Sequence, residues 1–411
     1  MSLDIPAAQA VLKETYPNGI VPIDYDKTKT LALFRKEKGT IIEGPFGAGF
    51  AQPLKYGNPQ AVSATFATGY AQAASEASRY ARWFLTPGEV FAFARVQGAL
   101  IRRSQGSGSF IKALVSEIEN AKKALTRQLE ILLDGNGWGN LGKISGISTV
   151  TITLQYPWMA RHFEVGQALV ASSSINGAVL SGSGTPIKIT KVNTGAGTLT
   201  MASSAAAWGS SDYLFLDGCR QNSSTPSRIV PCGFESFLHD ADADLETLFT
   251  VDQTISTRLG GIRRSATASG NMEEALLDLS ADIDAAGGKS THCVLGSQTY
   301  ARLCKSLLNK VYCDIEDQDG LKLGFKGIVL QGASGDVIVY SDSAFNEGRG
   351  RMFNVDDVGI IHTGDDLVYL EQTDGLQFRQ IDGTDDWMAR LIASHQFHLD
   401  APGHAGVVTD L

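Results

Sequence analysis

Three histidines and an aspartate crowd the end of the chain: His395, His398, Asp400 and His404. Imidazoles with a carboxylate are the donor set of a zinc site. The spacing argues against one. His395 and His398 stand three apart in "WMARLIASHQFHLD", which reads as a strand, and strand residues three apart leave opposite faces. Carboxylates alternate in "HDADADLE", residues 239–246, in the manner of a calcium loop. That stretch lacks the glycine and the distal bidentate glutamate of an EF-hand, and reads as a surface acidic turn.

A phosphate site is the next candidate. In "LEILLDGNGWGNLGKISGI", residues 129–147, Gly135, Gly137, Gly139, Gly142 and Gly146 follow an apolar run, with Lys143 among them. Phosphate is held at helix amino ends, where free N–H groups and the positive end of the dipole meet the anion. These glycines follow a carboxyl end, where the free groups are carbonyls, and no GxxxxGK[ST] pattern is present. The stretch reads as a helix stop, with Gly135 in the left-handed position, followed by a flexible turn. GxSxG, GxGxxG and HExxH are absent too. No catalytic, cofactor-binding or metal-binding constellation emerges, so no cofactor and no enzymatic activity is expected.

The bulk properties bound what remains. With 411 residues, 43% hydrophobic and 19% charged, the chain can bury a real core and is long enough for two or three domains. No apolar run is long enough to span a membrane. The N-terminus has no basic-then-apolar signal pattern, and five cysteines without CxxC spacing read as free thiols in a reducing cytoplasm. The net charge of −9 is uneven. Residues 79–130 hold nine basic side chains (Arg79, Arg82, Arg95, Arg102, Arg103, Lys112, Lys122, Lys123, Arg127) against four acidic ones, and the remainder is strongly acidic. Such a chain can pair with copies of itself, and its acidic total argues against tight DNA binding.

Several elements have an unusual character. Residues 1–49 offer one short helical candidate, "IPAAQAVLKETY", then prolines and glycines, and read as an arm that needs another surface. Residues 50–97 read as long, poorly buried strands of a projecting hairpin with a turn near residue 87. From Ser109 to Leu133 apolar residues recur at helical spacing over about seven turns, with Ser107 or Ser109 as cap and basic residues on the outer face. "TVTITL", 149–154, reads as a strand. Residues 155–219 carry short strands split by Gly, Ser and Asn turns and suggest a small barrel or sandwich. "NMEEALLDLSADIDAA" is a helix opened by a box of Asn271 with Glu274, and "SQTYARLCKSLLNK" a helix begun by Ser297. With the strands "THCVLGS", "FKGIVLQG" and "DVIVYSD" they fit an α/β subdomain. "RMFNVDDVGI", "DLVYLEQ", "LQFRQI" and "WMARLIASHQFHLD" read as long antiparallel strands closing the structure.

In this order the elements resemble the major capsid proteins of tailed bacteriophages, the Hong Kong 97-type capsid fold. The residues carrying the resemblance are "KYGNPQAVSATFATGYAQ", "LLDGNGWGNLGKISGI", "NMEEALLDLSADIDAAGGKSTHCVLGSQTYARLCKSL" and "FNVDDVGI…TDGLQFRQIDGTDDWMARLIASHQFHLDAP". The resemblance implies an α+β chain with an N-terminal arm (1–49), an extended loop (50–97) and a peripheral domain on a spine helix (98–154). It further implies an inserted β-domain (155–219), an axial domain (220–345) and peripheral C-terminal strands (346–411). The implied function is structural: pentamers and hexamers of an icosahedral head enclosing double-stranded DNA without sequence-specific binding. The expected place is the virion capsid after synthesis in the host cytoplasm. Encapsulin-like compartment shells share the fold and are the alternative. Implied partners are further copies of the chain, a scaffolding protein, a portal protein and a decoration or cement protein, with no membrane. The scaffolding protein is expected to be separate, because the long helical scaffolding segment of some relatives is missing. Lys55, Phe66, Arg79, Arg82 and Trp83 are the expected inter-subunit contacts. Lys55 is the only lysine between residues 50 and 97. No asparagine can be matched to it, so the covalent crosslinks of some relatives are not expected.

Overall fold

In the computed structural model of the chain, the described residues are 29–39, 42–44, 47–74, 77–99, 109–180, 186–221, 223, 227–308, 328–364, 367–370 and 379–411. The expected helix "IPAAQAVLKETY" and the cap at Ser107 lie outside them. The described chain opens with a one-turn helix, Thr30–Leu33, and strand β1, Arg35–Lys38. Strands β2 (Ile42–Gly44), β3 (Gly47–Gly57) and β4 (Arg79–Leu85) then form a three-stranded sheet, with the helix Phe66–Ala73 between the last two. Strand β5, Gly88–Gln97, was expected in the same hairpin but leaves it. Thr86 and Pro87 redirect the chain, and β5 pairs along its whole length with a C-terminal strand instead.

The long helix spans Ser109–Leu133, as its apolar spacing requires. Leu125, Leu129, Leu132 and Leu133 enter the main core, and Lys122 stays exposed. Arg127, expected on the outer basic face, is buried, and so is Glu130 one turn on.

Beyond the helix the glycines do two different things. Gly135 closes the last turn by donating its N–H to the Leu132 carbonyl at 3.0 Å. The left-handed backbone expected at Gly135 falls instead at Gly137 (φ +77°) and Gly139 (φ +78°), where a side chain would be strained. The flexible turn expected after them is a strand. Strands β6 (Asn140–Ser148), β7 (Thr151–Leu154), β8 (Ala168–Ser172), β9 (Ile187–Asn193), β10 (Thr198–Met201) and β11 (Tyr213–Leu216) close a barrel in the order β10-β7-β6-β11-β8-β9. The barrel therefore begins at Asn140, not residue 155. Leu141, Ile144, Ile152, Leu169, Leu199 and Leu214 are buried, and closure removes the open edges that short strands would otherwise present.

A two-residue hairpin, β12 (Thr247–Leu248) with β13 (Val251–Asp252), precedes the α/β unit. That unit has strands β14 (Ile262–Ser265), β15 (His292–Gly296), β16 (Ile328–Gly332), β17 (Gly335–Asp342) and β18 (Gly350–Phe353). Helix Met272–Ala285 starts as expected: Asn271 accepts the Glu274 N–H at 3.1 Å and donates to its carboxylate at 2.9 Å. Ala275, Leu276, Leu279 and Ile283 give it a buried stripe, packed with Leu303 of helix Ser297–Leu308.

The segment "RMFNVDDVGI" divides between two sheets. Its first part is β18. A short turn capped by Asn354 separates that from β19, Val358–His362. Strands β20 (Tyr369–Leu370), β21 (Arg379–Gln380) and β22 (Asp386–Leu399) follow. The long β22 is the spine of a six-stranded sheet with β1, β5, β19, β20 and β21, on which the long helix lies. Residues after Leu399 form β23 (Gly406–Thr409). It lies between β14 and β18, in a second six-stranded sheet of order β14-β23-β18-β15-β17-β16, and Val407 and Val408 are fully buried.

Candidate inter-subunit surface

The hairpin β3–β4 changes character along its length. At its base Phe50, Leu54, Trp83 and Leu85 belong to the main core, and the Trp83 ring meets Phe237 edge-on at 5.1 Å. Its outer half is bare: residues 79, 80 and 82 are exposed, and the helix Phe66–Ala73 buries no residue at all. Phe66 and Tyr70, one turn apart, stack on each other at 6.2 Å yet remain 90% and 74% exposed. Val62, between β3 and β4, and Tyr80, on β4, are exposed too. An eight-residue helix is too short to persist on intrinsic propensity and normally relies on tertiary packing. Among the described residues none covers it here. Exposed apolar surface of this extent marks a docking face.

Of the five expected contact residues, Lys55, Phe66, Arg79 and Arg82 lie exposed on this element. Trp83 corrects the expectation: at 0% exposure it is a core residue that anchors the hairpin, out of reach of a neighbour. Burial in β4 runs unbroken from Trp83 to Leu85, so the strand's base lies in the core while its outer half is exposed. Tyr70 and Val62, not among the expected residues, are exposed as well. The four-residue spacing of Phe66 and Tyr70 in "FATGYAQA" was the available signal.

Charge is sorted in the same way. β3, β4 and the helix Phe66–Ala73 contain Lys55, Arg79 and Arg82 and no carboxylate. Helix Met272–Ala285 carries Glu273, Glu274, Asp278, Asp282 and Asp284 and no base. Glu274, Asp278 and Asp284 are exposed, with Leu277 between the first two.

The remaining candidates for chemistry are structural. His395 pairs in register with His362 across β22 and β19, and burial first, His362 second, pull it down to about 4. His398, on the opposite face, meets Asp400 at 2.8 Å, and Asp400 also accepts from Gln52 at 2.5 Å. His404 lies beyond, in a short turn against Gly288. Among the described residues no three His, Cys, Asp or Glu side chains converge as a metal site. Residues 241–244 are exposed in a short turn at Asp242–Asp244, the surface acidic turn expected, and its flanking charges are paired. His239 bonds Gln253 at 2.8 Å, Asp240 pairs with Arg349, Asp242 with Arg263 and Glu246 with Arg228. Lys143 stands 5.0 Å over the Tyr213 ring on the barrel, far from any phosphate cradle.

The fold that these elements make is similar to that of a solved phage capsid chain. The structural likeness is to a chain of the cyanophage A-1(L) capsid asymmetric unit, with a TM-score of 0.55, 11% identity, and coverage of 96% of this chain and 98% of that one. Chains of the native GTA particle capsid (TM-score 0.47, 10% identity, 100% and 98% covered) and of Mycobacterium phage Adephagia (0.43, 12%, 100% and 98%) align more loosely. No protein-family model matches the chain, and no curated protein matches it in sequence.

Proposed function

We propose that this chain is the major structural subunit of a tailed-phage head and has no enzymatic role. In this reading the long helix with β5 and β22 is the peripheral domain, and the α/β unit is the axial domain at capsomer centres. Hairpin β3–β4 is the extended loop and the barrel an insertion. Copies close into pentamers and hexamers by head-to-tail contacts, which form rings when the rotation closes. The shell encloses double-stranded DNA without sequence-specific contacts, after assembly on a separate scaffolding protein with a portal at one vertex. A decoration protein on the barrel is compatible with the same scheme.

One observation carries the reading. The hairpin is anchored by a buried Trp83 and ends in a helix that buries nothing, with Phe66 90% exposed. A rigidly rooted, bare apolar tip gains burial only when a neighbouring copy covers it. Lys55, Arg79 and Arg82 would meet acidic surface there, helix Met272–Ala285 being the most acidic helix described, and such complementarity steers and orients association. The fold shared with the cyanophage capsid chain adds weight.

Negative-stain electron microscopy of the purified chain, with and without a candidate scaffolding protein, tests the proposal. Closed shells or five- and six-fold rings are expected. A monomer under every condition would overturn it. Shells filled with an enzyme rather than DNA in the producing cell would assign the chain to a compartment instead.

A further inference from the structure

One face of the α/β sheet is covered at one end and bare at the other. Phe353, His292, Ile338 and Val329 pair across β18, β15, β17 and β16, and residues paired in this way project to one face. Phe353 is buried and its ring stacks on His292 at 6.4 Å, but Ile338 is 45% and Val329 57% exposed. The helices Met272–Ala285 and Ser297–Leu308 pack on the opposite face, against Cys293, Val337 and Val339. Ile338 and Val329 therefore stand open on their own side.

The N-terminal segment covers the other end of this face. Phe34 packs edge-on against Phe353 at 5.7 Å. Thr30 donates its hydroxyl to Asp342 at 2.6 Å, and Asp342 shares a face with Tyr340 and Ile338 because side chains alternate along β17. Followed backwards from Phe34 to Thr30, the chain passes from β18 to β17. Lys29 continues in the same direction. The Ile338 N–H bonds the Thr291 carbonyl, on the β15 side of β17. Backbone groups alternate sides along a strand, so Ser341 turns its carbonyl to the β16 side, and the Lys29 ammonium meets it there at 2.9 Å. At Lys29 the chain is aimed at β16 and its bare Val329.

We propose that residues 20–26 of the same chain lie over this face, with Val21, Ile23 and Tyr25 against Ile338 and Val329. Those residues precede the described chain, and their sequence suits the surface. In "VPIDYD" the apolar Val21, Ile23 and Tyr25 alternate with Pro22, Asp24 and Asp26, a pattern that gives an extended segment one apolar side. The reach suits it too. Ile338 is four residues along β17 from Asp342, roughly 13 Å, and the five residues from Thr30 back to Tyr25 span up to roughly 17 Å when extended. The occupant is the chain's own segment rather than a neighbour's, because Lys29 already delivers it to the edge of the patch. The contact lies within one subunit and does not depend on shell formation.

Hydrogen-exchange mass spectrometry of the full chain tests this in the peptide covering 20–26. That peptide is expected to be protected, and Val329→Asp with Ile338→Asp should lower its protection at least about tenfold. Ile23→Asp, made in the segment itself, should do the same, and it decides if the sheet variant does not fold. An unprotected wild-type peptide, or protection that either folded variant keeps, overturns the proposal. A cysteine pair then identifies the occupant. Ile23→Cys with Val329→Cys is oxidised in a mixture of light and isotopically heavy chains, and the linked peptides are weighed. Links between peptides of one label are expected. Links in the statistical mixture of labels would give the face to a neighbouring copy and overturn the proposal, and so would the absence of any link.

Discussion

Arg351 and Asp134, 217 positions apart, meet in the interior through Nε and Oδ1 at 3.0 Å, each almost wholly buried. Asp134 ends the long helix and Arg351 lies on β18, so one ion pair joins the helix to the α/β sheet. Arg351 also donates to the Leu238 carbonyl at 2.8 Å and reaches Asp240 at 3.4 Å. Arg349 adds bonds to Asp240 and Glu235.

Removing one partner of that pair leaves the other charged and unpaired in the core. Arg351→Met is expected to cost roughly 3–5 kcal/mol of unfolding free energy, and Asp134→Asn a comparable amount. The double variant should cost less than the sum of the two. Urea denaturation of the four proteins measures this, and simple additivity would contradict the assignment.

The hairpin divides stability from assembly at one peptide bond. Trp83→Ala is expected to lose about 3–5 kcal/mol, because it empties a packed site. Phe66→Ser with Tyr70→Ser should change subunit stability by no more than ~0.5 kcal/mol. The same double substitution should abolish shell formation. Denaturation and sedimentation on the same preparations separate the two effects.

Charge reversal at Arg79 and Arg82 together should slow assembly and invert its dependence on salt, because screening relieves the new repulsion, while the circular dichroism and melting of the subunit stay unchanged. Light scattering during assembly at two ionic strengths reads this. Normal shells at a normal rate would contradict a role for the basic hairpin.

Stability should peak near pH 6.5. His162 and His395 are each lowered to about 4, mainly by burial, and His239 and His292 move in the same direction. For a lowered histidine the unfolded chain takes the proton first, so stability falls as pH drops from about 6.5 toward 4. Glu130 has the opposite sign: its contribution declines as pH rises toward about 8. Each proton is worth about 1.4 kcal/mol per pH unit. Unfolding free energies at pH 5, 6.5 and 8 should therefore trace a maximum, and a monotonic rise to pH 8 would exclude the neutral Glu130.

The turn joining β12 and β13 places Phe249 (φ 45°) and Thr250 (φ 76°) in left-handed backbone. A β-branched residue there is strained by roughly 1–2 kcal/mol. Phe249 remains because its ring packs on Phe237 and its carbonyl accepts the Phe84 N–H at the base of the hairpin. Thr250→Gly should raise stability by about 1 kcal/mol, readable as a higher melting temperature.

Much of this was legible in the sequence because it is local. The period of apolar residues set the long helix to its first and last residue, and the Asn271–Glu274 box set the start of another. What was not legible depends on distant partners. "GKISGI" has too many glycines to announce a strand and becomes β6 only through β7 and β11. β23 is four residues long and exists because β14 and β18 leave a slot between them. Trp83 was misread because nothing local distinguishes the buried half of β4 from the exposed half, and Arg127 and Glu130 were misread because helix periodicity cannot reveal that the N-terminal segment crosses there.

The central claim is that a neighbouring copy covers the hairpin tip. The measurement that tests it most directly is cryo-electron microscopy of assembled particles, at a resolution that traces side chains on residues 58–78. The account predicts Phe66 and Tyr70 packed under an adjacent subunit, with Arg79 and Arg82 against its acidic side chains. Particles in which that tip stands free in solvent would contradict it.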